Sequence, residues 1–133
     1  MKNDREFMKK CIKLSKKSLD FGELPFTSLI VKDNQIIAQS GNKVQKAKDV
    51  TRHAEIVVMQ KAQKILNTAD LSECVIYSST EPCPMCAFMI RELKFKKVVF
   101  GVISPIMGGY SRFKILQDTQ LETLKKVYSK PPL

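Results

Sequence analysis

The tripeptide His53-Ala54-Glu55 and the pentapeptide Pro82-Cys83-Pro84-Met85-Cys86 decide how this chain is interpreted. They supply one imidazole, two thiols and one additional carboxylate. A catalytic zinc site takes three protein ligands and keeps a fourth position open for water. His53, Cys83 and Cys86 are ligands of the kind that zinc prefers, and Glu55 is left as an acid–base group beside that water. The two motifs therefore predict a catalytic zinc site.

The spacing of the motifs indicates where this site must lie. Cys83 and Cys86 are three positions apart, so both thiols face one side of a helix that begins at this motif. The positive end of that helix favours the thiolate form of the ligands. His53 and Glu55 are two positions apart, about 200° around a regular helix. We therefore expect the metal beyond the beginning of their helix, with Glu55 reaching the water from one side.

Six short segments of the chain occur in the same order as in a known protein superfamily. They are Leu24-Pro25-Phe26, Ile30–Asp33, Gly41-Asn42, His53–Glu55, Glu81–Ala87 and Val98–Gly101. With this series, residues 5–101 resemble the cytidine deaminase-like superfamily of zinc-dependent nucleobase and nucleoside deaminases. The most similar branch contains tRNA adenosine deaminases, guanine deaminases and fungal-type cytosine deaminases.

The resemblance implies a fold and a reaction. The implied fold is α/β, a three-layer α/β/α sandwich around a mixed five-stranded sheet. The implied reaction is hydrolytic deamination, in which a carbonyl group replaces an exocyclic amine of a base and ammonia leaves. The C-terminal third shows no clear final strand, so either the domain is shortened there or the sequence stops before a natural end.

The resemblance also implies roles for single residues. Zn²⁺ would be held by His53, Cys83 and Cys86, and Glu55 would be the catalytic acid–base residue. The substrate-binding residues would be Asn42, Ala54 and Phe26. Asn42 would bond the edge of the base, and Phe26 would either stack on the base or fill the core, of which we favour the core.

Hydrophobic periodicity and turn signals predict the order helix, hairpin, helix, strand, helix, strand. The predicted helices are Asp4–Leu19, His53–Leu66 (or from Thr51) and Cys83–Leu93, and the predicted strands are Phe26–Lys32, Gln35–Ser40, Cys74–Ser79 and Lys97–Ile103. We interpret Lys43–Val50 as a loop. Tyr110–Gln117 and Leu121–Val127 could form short helices.

Length and composition limit the class of protein. We expect a single domain over residues 1–133, long enough for a hydrophobic core. No apolar run reaches the length of a membrane span, and the chain opens on a charged helix instead of a secretory signal. Four cysteines without such a signal suit reduced thiols. We therefore expect a cytoplasmic protein that does not bind a membrane, and the resemblance implies a homodimer.

The formal net charge is +10, and the basic residues concentrate in residues 2–17, 43–52 and 91–97. Such regions attract anions, including RNA, although a solvated lysine surface is the simpler interpretation.

A small nucleobase or nucleoside is the favoured substrate, and a tRNA-specific adenosine deaminase is the alternative. The segment Ser104–Arg112 is unlike either group of relatives. Within it, Tyr110 and Arg112 are candidates for covering a substrate.

Two further interpretations stay open at this point. The zinc could be structural and fully ligated, with Cys11 or Cys74 as a fourth ligand. The chain could also be a zinc-stabilised RNA-binding module without catalysis. The presence of Glu55 argues against that second interpretation, since binding alone needs no carboxylate there.

Overall fold

The computed structural model describes residues 2–118 of the chain. Its elements are α1 (Asp4–Asp20), β1 (Thr27–Lys32), β2 (Gln35–Gly41), α2 (Val44–Ala47), α3 (Ala54–Leu66), β3 (Cys74–Thr80), α4 (Pro84–Glu92) and β4 (Lys97–Val102). Every helix and strand predicted between residues 4 and 103 is present, with bounds that differ by one or two residues at most ends. In this part of the chain, no helix is both long enough and apolar enough to cross a membrane.

Two local predictions were wrong. The stretch predicted as a loop before His53 contains the short helix α2, which begins where the Asn42 side chain accepts a hydrogen bond from the N–H of Val44 at 2.9 Å. One helical turn is too short to show hydrophobic periodicity, so no periodic pattern indicated α2. Tyr110–Gln117 forms turns instead of a helix, because the Gly108 carbonyl accepts the N–H of Phe113 and closes a turn. Leu121–Val127 lies outside the described residues.

The sheet is mixed, as predicted, with the strand order β2-β1-β3-β4. β1 runs antiparallel to both β2 and β3, whereas β3 and β4 are parallel and joined by α4. Asp33 and Asn34 join β1 to β2 with φ of 51° and 62°, the two left-handed residues of a tight hairpin turn. The fifth strand implied by the resemblance has no counterpart within residues 2–118.

The two faces of the sheet are covered by different helices, because successive strand residues point to opposite sides. Leu29 and Val31 of β1 pack on one face with Phe7 and Cys11 of α1. Ile30 points to the other face, in the cluster with Val58 and Met59 of α3 and Cys86 and Ile90 of α4. The predicted three-layer α/β/α sandwich is confirmed. α3 and α4 therefore share one face of the sheet, and α1 covers the other.

This packing predicts a large difference between two isoleucines. Ile30 is fully buried between the sheet and α3, and Ile65 at the end of α3 is 60% exposed. Ile30→Ala should lower the free energy of unfolding by about 2–5 kcal/mol, because it removes buried methyl groups and leaves a cavity. Ile65→Ala should cost less than about 1 kcal/mol. Urea unfolding measures both, and equal losses would contradict this core.

Candidate active site

The site lies where two helices begin. His53 is the N-cap of α3 and Cys83 is the N-cap of α4, each with extended backbone. The His53 carbonyl accepts the first helical hydrogen bond from Val57 at 3.0 Å, and the Cys83 carbonyl accepts one from Ala87 at 2.8 Å. Pro84 occupies the first turn of α4, a position where its missing N–H costs nothing. Both helices thus direct their positive ends toward one point.

The geometry of the three predicted ligands fits a zinc ion. His53 Nδ1 lies 3.5 Å from Cys83 Sγ and 3.6 Å from Cys86 Sγ. Tetrahedral zinc, with bonds of about 2.0 Å to nitrogen and 2.3 Å to sulfur, places such atoms about 3.6 Å apart. All three ligand atoms lie within 4.8 Å of one another. His53, Cys83 and Cys86 can therefore hold Zn²⁺ without rearrangement of the backbone.

The two other cysteines take no part in this group. Cys11 lies on the buried face of α1, where its thiol donates to the Thr27 carbonyl at 3.3 Å and burial raises its pKa to about 11. Cys74 is buried at the start of β3, and burial raises its pKa also. Neither belongs to the cluster of potential metal ligands formed by residues 2–118. A closed zinc site completed by Cys11 or Cys74 is thus not what this part of the chain forms.

The two thiols of the site are coupled to each other. A hydrogen bond from Cys86 stabilises the Cys83 thiolate and lowers the pKa of Cys83 to about 5, despite partial burial. The same hydrogen bond, together with burial and the nearby Glu55 charge, raises the pKa of Cys86. A cation at this point would favour the thiolate at both positions, since metal ligands bind as thiolates.

Glu55 is a buried carboxyl beside these ligands. It occupies the first turn of α3 and is 7% exposed. Burial raises its pKa to about 7, and the negative charge of Cys83 acts in the same direction. A cation held by the neighbouring ligands would lower the pKa again. A carboxyl poised in this range can accept and return a proton near neutral pH, which suits an acid–base residue.

A cavity of about 330 Å³ opens beside the ligands. This volume lies at the lower end for small-molecule sites. Its walls come from the β1 and β2 ends, the starts of α3 and α4, and the segment after β4. The lining residues are Phe26, Asn42, His53, Ala54, Glu55, Thr80, Glu81, Cys83, Ser104 and Met107.

The three predicted substrate-binding residues all line this cavity. Asn42 is 4% exposed, and because its side-chain oxygen already accepts from Val44, its amide NH₂ is the group left for a ligand. Ala54 is fully buried. Phe26 is 39% exposed and belongs to neither core cluster, so our preference for Phe26 as a core residue was wrong. Phe26 lies immediately before β1.

Sequence reasoning missed four residues of the cavity wall: Thr80, Glu81, Ser104 and Met107. Tyr110 and Arg112 were candidates for covering a substrate instead. Tyr110 packs near Phe100, with 6.2 Å between ring centroids, and Arg112 lies over the ring of Phe113, so neither lines the cavity. The one available signal was Gly108-Gly109, a pair typical of a tightly folded loop.

Glu81 is the second buried carboxyl of the cavity, at 4% exposure. Burial alone would favour its protonated form, but backbone and hydroxyl donors from Ser111 and the N–H groups of Ser104 and Tyr110 outweigh burial. Together they hold the pKa of Glu81 below its ordinary value. Glu81 is therefore an ionised acceptor, whereas Glu55 is suited to exchange protons.

Several known proteins with similar sequences are deaminases. The chain is 35% identical over 116 residues to the tRNA-specific adenosine deaminase of Aquifex aeolicus, covering 86% of this chain and 77% of that protein. It is 38% identical over 100 residues to the guanine deaminase of Bacillus subtilis, covering 74% of this chain and 64% of that protein. A tRNA-specific adenosine deaminase of Bacillus subtilis is 35% identical over 131 residues, covering 97% and 81%.

Solved structures agree with this grouping. A structure from work on A-to-I editing by tRNA:A34 deaminases superimposes with a TM-score of 0.82 at 28% identity, covering 86% of this chain and 89% of that one. The guanine deaminase of Bacillus subtilis gives a TM-score of 0.77 at 26% identity, covering 98% and 96%.

The fold and the three-ligand site together define the class of zinc-dependent deaminases. Residues 1–102 match the cytidine and deoxycytidylate deaminase zinc-binding region, so the chain belongs to that family. The predicted superfamily, enzyme class and zinc cofactor are confirmed at this level. The relatives include both tRNA and guanine deaminases and do not choose between these substrates.

The ligand geometry predicts which cysteines zinc needs. Cys86→Ser should lose most of the bound zinc, because it removes one of three protein ligands. Cys11→Ser and Cys74→Ser should retain about one zinc per chain, since both thiols lie outside the ligand group. Metal analysis of the purified variants measures this. Zinc loss in Cys11→Ser or Cys74→Ser, with the fold intact by circular dichroism, would instead support a structural zinc site with four protein ligands.

Proposed function

We propose that this chain is a zinc-dependent hydrolytic deaminase of a small nucleobase or nucleoside, with Glu55 as its catalytic acid–base residue. The observation that carries the proposal is the burial of the Glu55 carboxyl in the same small cavity as His53 and Cys83. Membership of the deaminase family supports it. A binding module would gain nothing from a carboxyl whose burial is energetically costly.

The reaction needs one nucleophile and the relay of two protons from water, one to the ring nitrogen and one to the leaving amine. Zinc bound by His53, Cys83 and Cys86 would act as a Lewis acid that makes water available as a nucleophile at neutral pH. Glu55 would accept a proton from the attacking water and return it to the adjacent ring nitrogen. Glu55 would then take the second proton from the hydroxyl group formed on the ring carbon and deliver it to the exocyclic amine, which leaves as ammonia. The C–N bond then breaks, and the carbonyl of the product forms.

The remaining wall residues would orient the base. The free amide NH₂ of Asn42 can donate to a ring nitrogen or carbonyl oxygen at the base edge. Ala54 has no side chain beyond Cβ, so the base can approach the start of α3 closely. Phe26 is half-exposed at the cavity and offers a face for stacking. These contacts would hold the amine-bearing carbon near the ligands and Glu55.

A tRNA adenosine deaminase is the second candidate, favoured by one surface feature. A groove beside the cavity shares Asn42 with it and carries Lys17, Lys43 and Lys46, with Phe21 85% exposed along it. Lysines and an exposed ring suit the phosphates and bases of a single strand. Against this candidate, Glu23 also lines the groove and would repel phosphates. We therefore keep the small substrate as the first proposal.

The single-domain organisation of residues 1–133, the homodimer and the cytoplasmic location stay predictions. Light scattering of the purified full chain measures the oligomeric state directly.

The role of Glu55 can be separated from that of the metal ligands. Glu55→Gln should keep the zinc content, because Glu55 is not a ligand, and should lower kcat for ammonia release by about 10²–10⁴-fold, as expected when a general acid–base is lost. Zinc analysis and a coupled ammonia assay measure the two effects. Near-normal turnover in Glu55→Gln would remove Glu55 from the proposed reaction.

Salt distinguishes the two candidate substrates. Ammonia release should be screened with guanine, adenine, cytosine, their nucleosides, pterin-like heterocycles and unmodified tRNA. With a neutral base, KM should change little between 50 and 200 mM salt, whereas binding of RNA through several phosphates should weaken by about 10³-fold or more. Activity on tRNA alone, with that steep salt dependence, would favour the second candidate.

A further inference from the structure

The segment from Ser104 to Ser111, here called the wall loop, is folded around one carboxylate. Glu81 Oε1 accepts hydrogen bonds from the N–H of Ser104 at 3.0 Å and from the Ser111 hydroxyl at 2.8 Å. Glu81 Oε2 accepts from the N–H of Tyr110 at 2.9 Å and from the N–H of Ser111 at 2.7 Å. Both ends of the wall loop therefore meet at the same side chain.

No cation shares this carboxylate among the described residues, since none of their ion pairs includes Glu81. A buried charge without a counter-ion is costly unless hydrogen bonds replace those of water. Four donors from the wall loop provide that replacement. The charge and the folded loop thus stabilise each other, because neither is satisfied alone.

The two glycines of the wall loop are required by this arrangement. A Cβ on Gly108 would lie 2.5 Å from Glu81 Oε2 and 2.6 Å from the Ser104 carbonyl oxygen. A Cβ on Gly109 would lie 2.5 Å from the Cβ of Ala87 in α4, and the Gly109 N–H donates to the Pro82 carbonyl at 2.8 Å. The loop is therefore pressed against both the carboxylate and the helix that carries the two cysteines.

The same loop forms part of the cavity. Ser104 and Met107 line it together with Glu81, His53 and Cys83. The Glu81 backbone is fixed as well, since its N–H donates to the Val102 carbonyl at 2.8 Å. A continuous set of contacts therefore runs from Cys83, through Glu81 two residues earlier, to the wall that a base would touch.

We propose that Glu81 is a positioning residue of this site: its carboxylate folds the wall loop and thereby places Met107 against the substrate base. Glu81 itself does not act on the reacting atoms. The inference rests on the proposed deaminase function and names the residue that sets the fit of its substrate. The alternative is that Glu81 only stabilises the fold.

Glu81→Gln tests this with little change in volume. The amide nitrogen would face at least one backbone N–H donor in either orientation, so the loop loses hydrogen bonds. With guanine as the test base, we expect KM to rise about tenfold or more, the range of one lost apolar contact, and kcat to stay within about threefold. Zinc content should not change. Glu73→Gln, at an exposed surface pair with Lys32, is the matched control and should behave as wild type.

Gly108→Ala disturbs the same contact from the other side, because its methyl group would collide with Ser111 Oγ and Glu81 Oε2 while leaving the carboxylate itself in place. It should reproduce the rise in KM. Hydrogen exchange of the amides of residues 104–111, followed by mass spectrometry, should be faster in both variants than in the wild type or Glu73→Gln.

Met107→Ala identifies the route of the effect. If Glu81 acts through Met107, the double variant Glu81→Gln/Met107→Ala should have about the same KM as the single variant with the higher KM. The free-energy effects of two coupled residues do not add. The proposal would be overturned if the rises in KM of the two single variants multiplied in the double variant. It would also be overturned if Glu81→Gln lowered thermal stability and left KM unchanged.

Wild-type protein that releases no ammonia from any substrate would count against the deaminase function instead. Exchange at residues 104–111 would then still decide whether Glu81 holds the wall loop: unchanged exchange in Glu81→Gln would overturn that anchoring, and faster exchange would support it.

Discussion

The convergence of two helix beginnings on one point is the constraint on which the rest of the structure depends. α3 and α4 bring their N-termini together, and only this meeting places the His53 imidazole within 3.6 Å of both thiols. The arrangement requires both helices to pack on one face of the sheet, which the buried side chains of Ile30, Met59 and Ile90 provide. The packing of the sheet core therefore also determines the ligand geometry, since a shift of either helix would separate the ligands.

The cavity holds two buried glutamates whose environments assign them opposite properties. Burial dominates at Glu55 and raises its pKa to about 7. Donors outweigh burial at Glu81, so its pKa is lowered. A carboxyl that gains and loses a proton is suited to acid–base catalysis, whereas a carboxylate that stays ionised is suited to holding a loop through hydrogen bonds. Position along the chain does not distinguish them, because each lies two residues before or after a metal ligand.

The sequence predicted what depends on short-range spacing. Periodicity located the main helices and strands, and the spacing of Cys83 and Cys86 was sufficient to place two thiols on one helix turn. Contacts between distant segments left no comparable pattern. Nothing local links Glu81 to Ser111, which is thirty positions away, so the attachment of the wall loop to Glu81 was not predicted. Phe26 adjoins the buried Thr27 and yet is 39% exposed at the cavity, and nothing in its sequence neighbourhood distinguishes a core ring from a ring at a cavity wall.

Placing metal ligands at helix caps has a consequence for how this protein can evolve. His53 and Cys83 occupy N-cap positions, and neither side chain makes a capping hydrogen bond. Serine, threonine, aspartate or asparagine there would stabilise each helix by about 1 kcal/mol. Selection for heat resistance alone would therefore favour the very substitutions that erase the metal centre. Thermal stability and metal-dependent activity therefore place opposite demands on these two positions, and the ligands persist only while the activity is under selection.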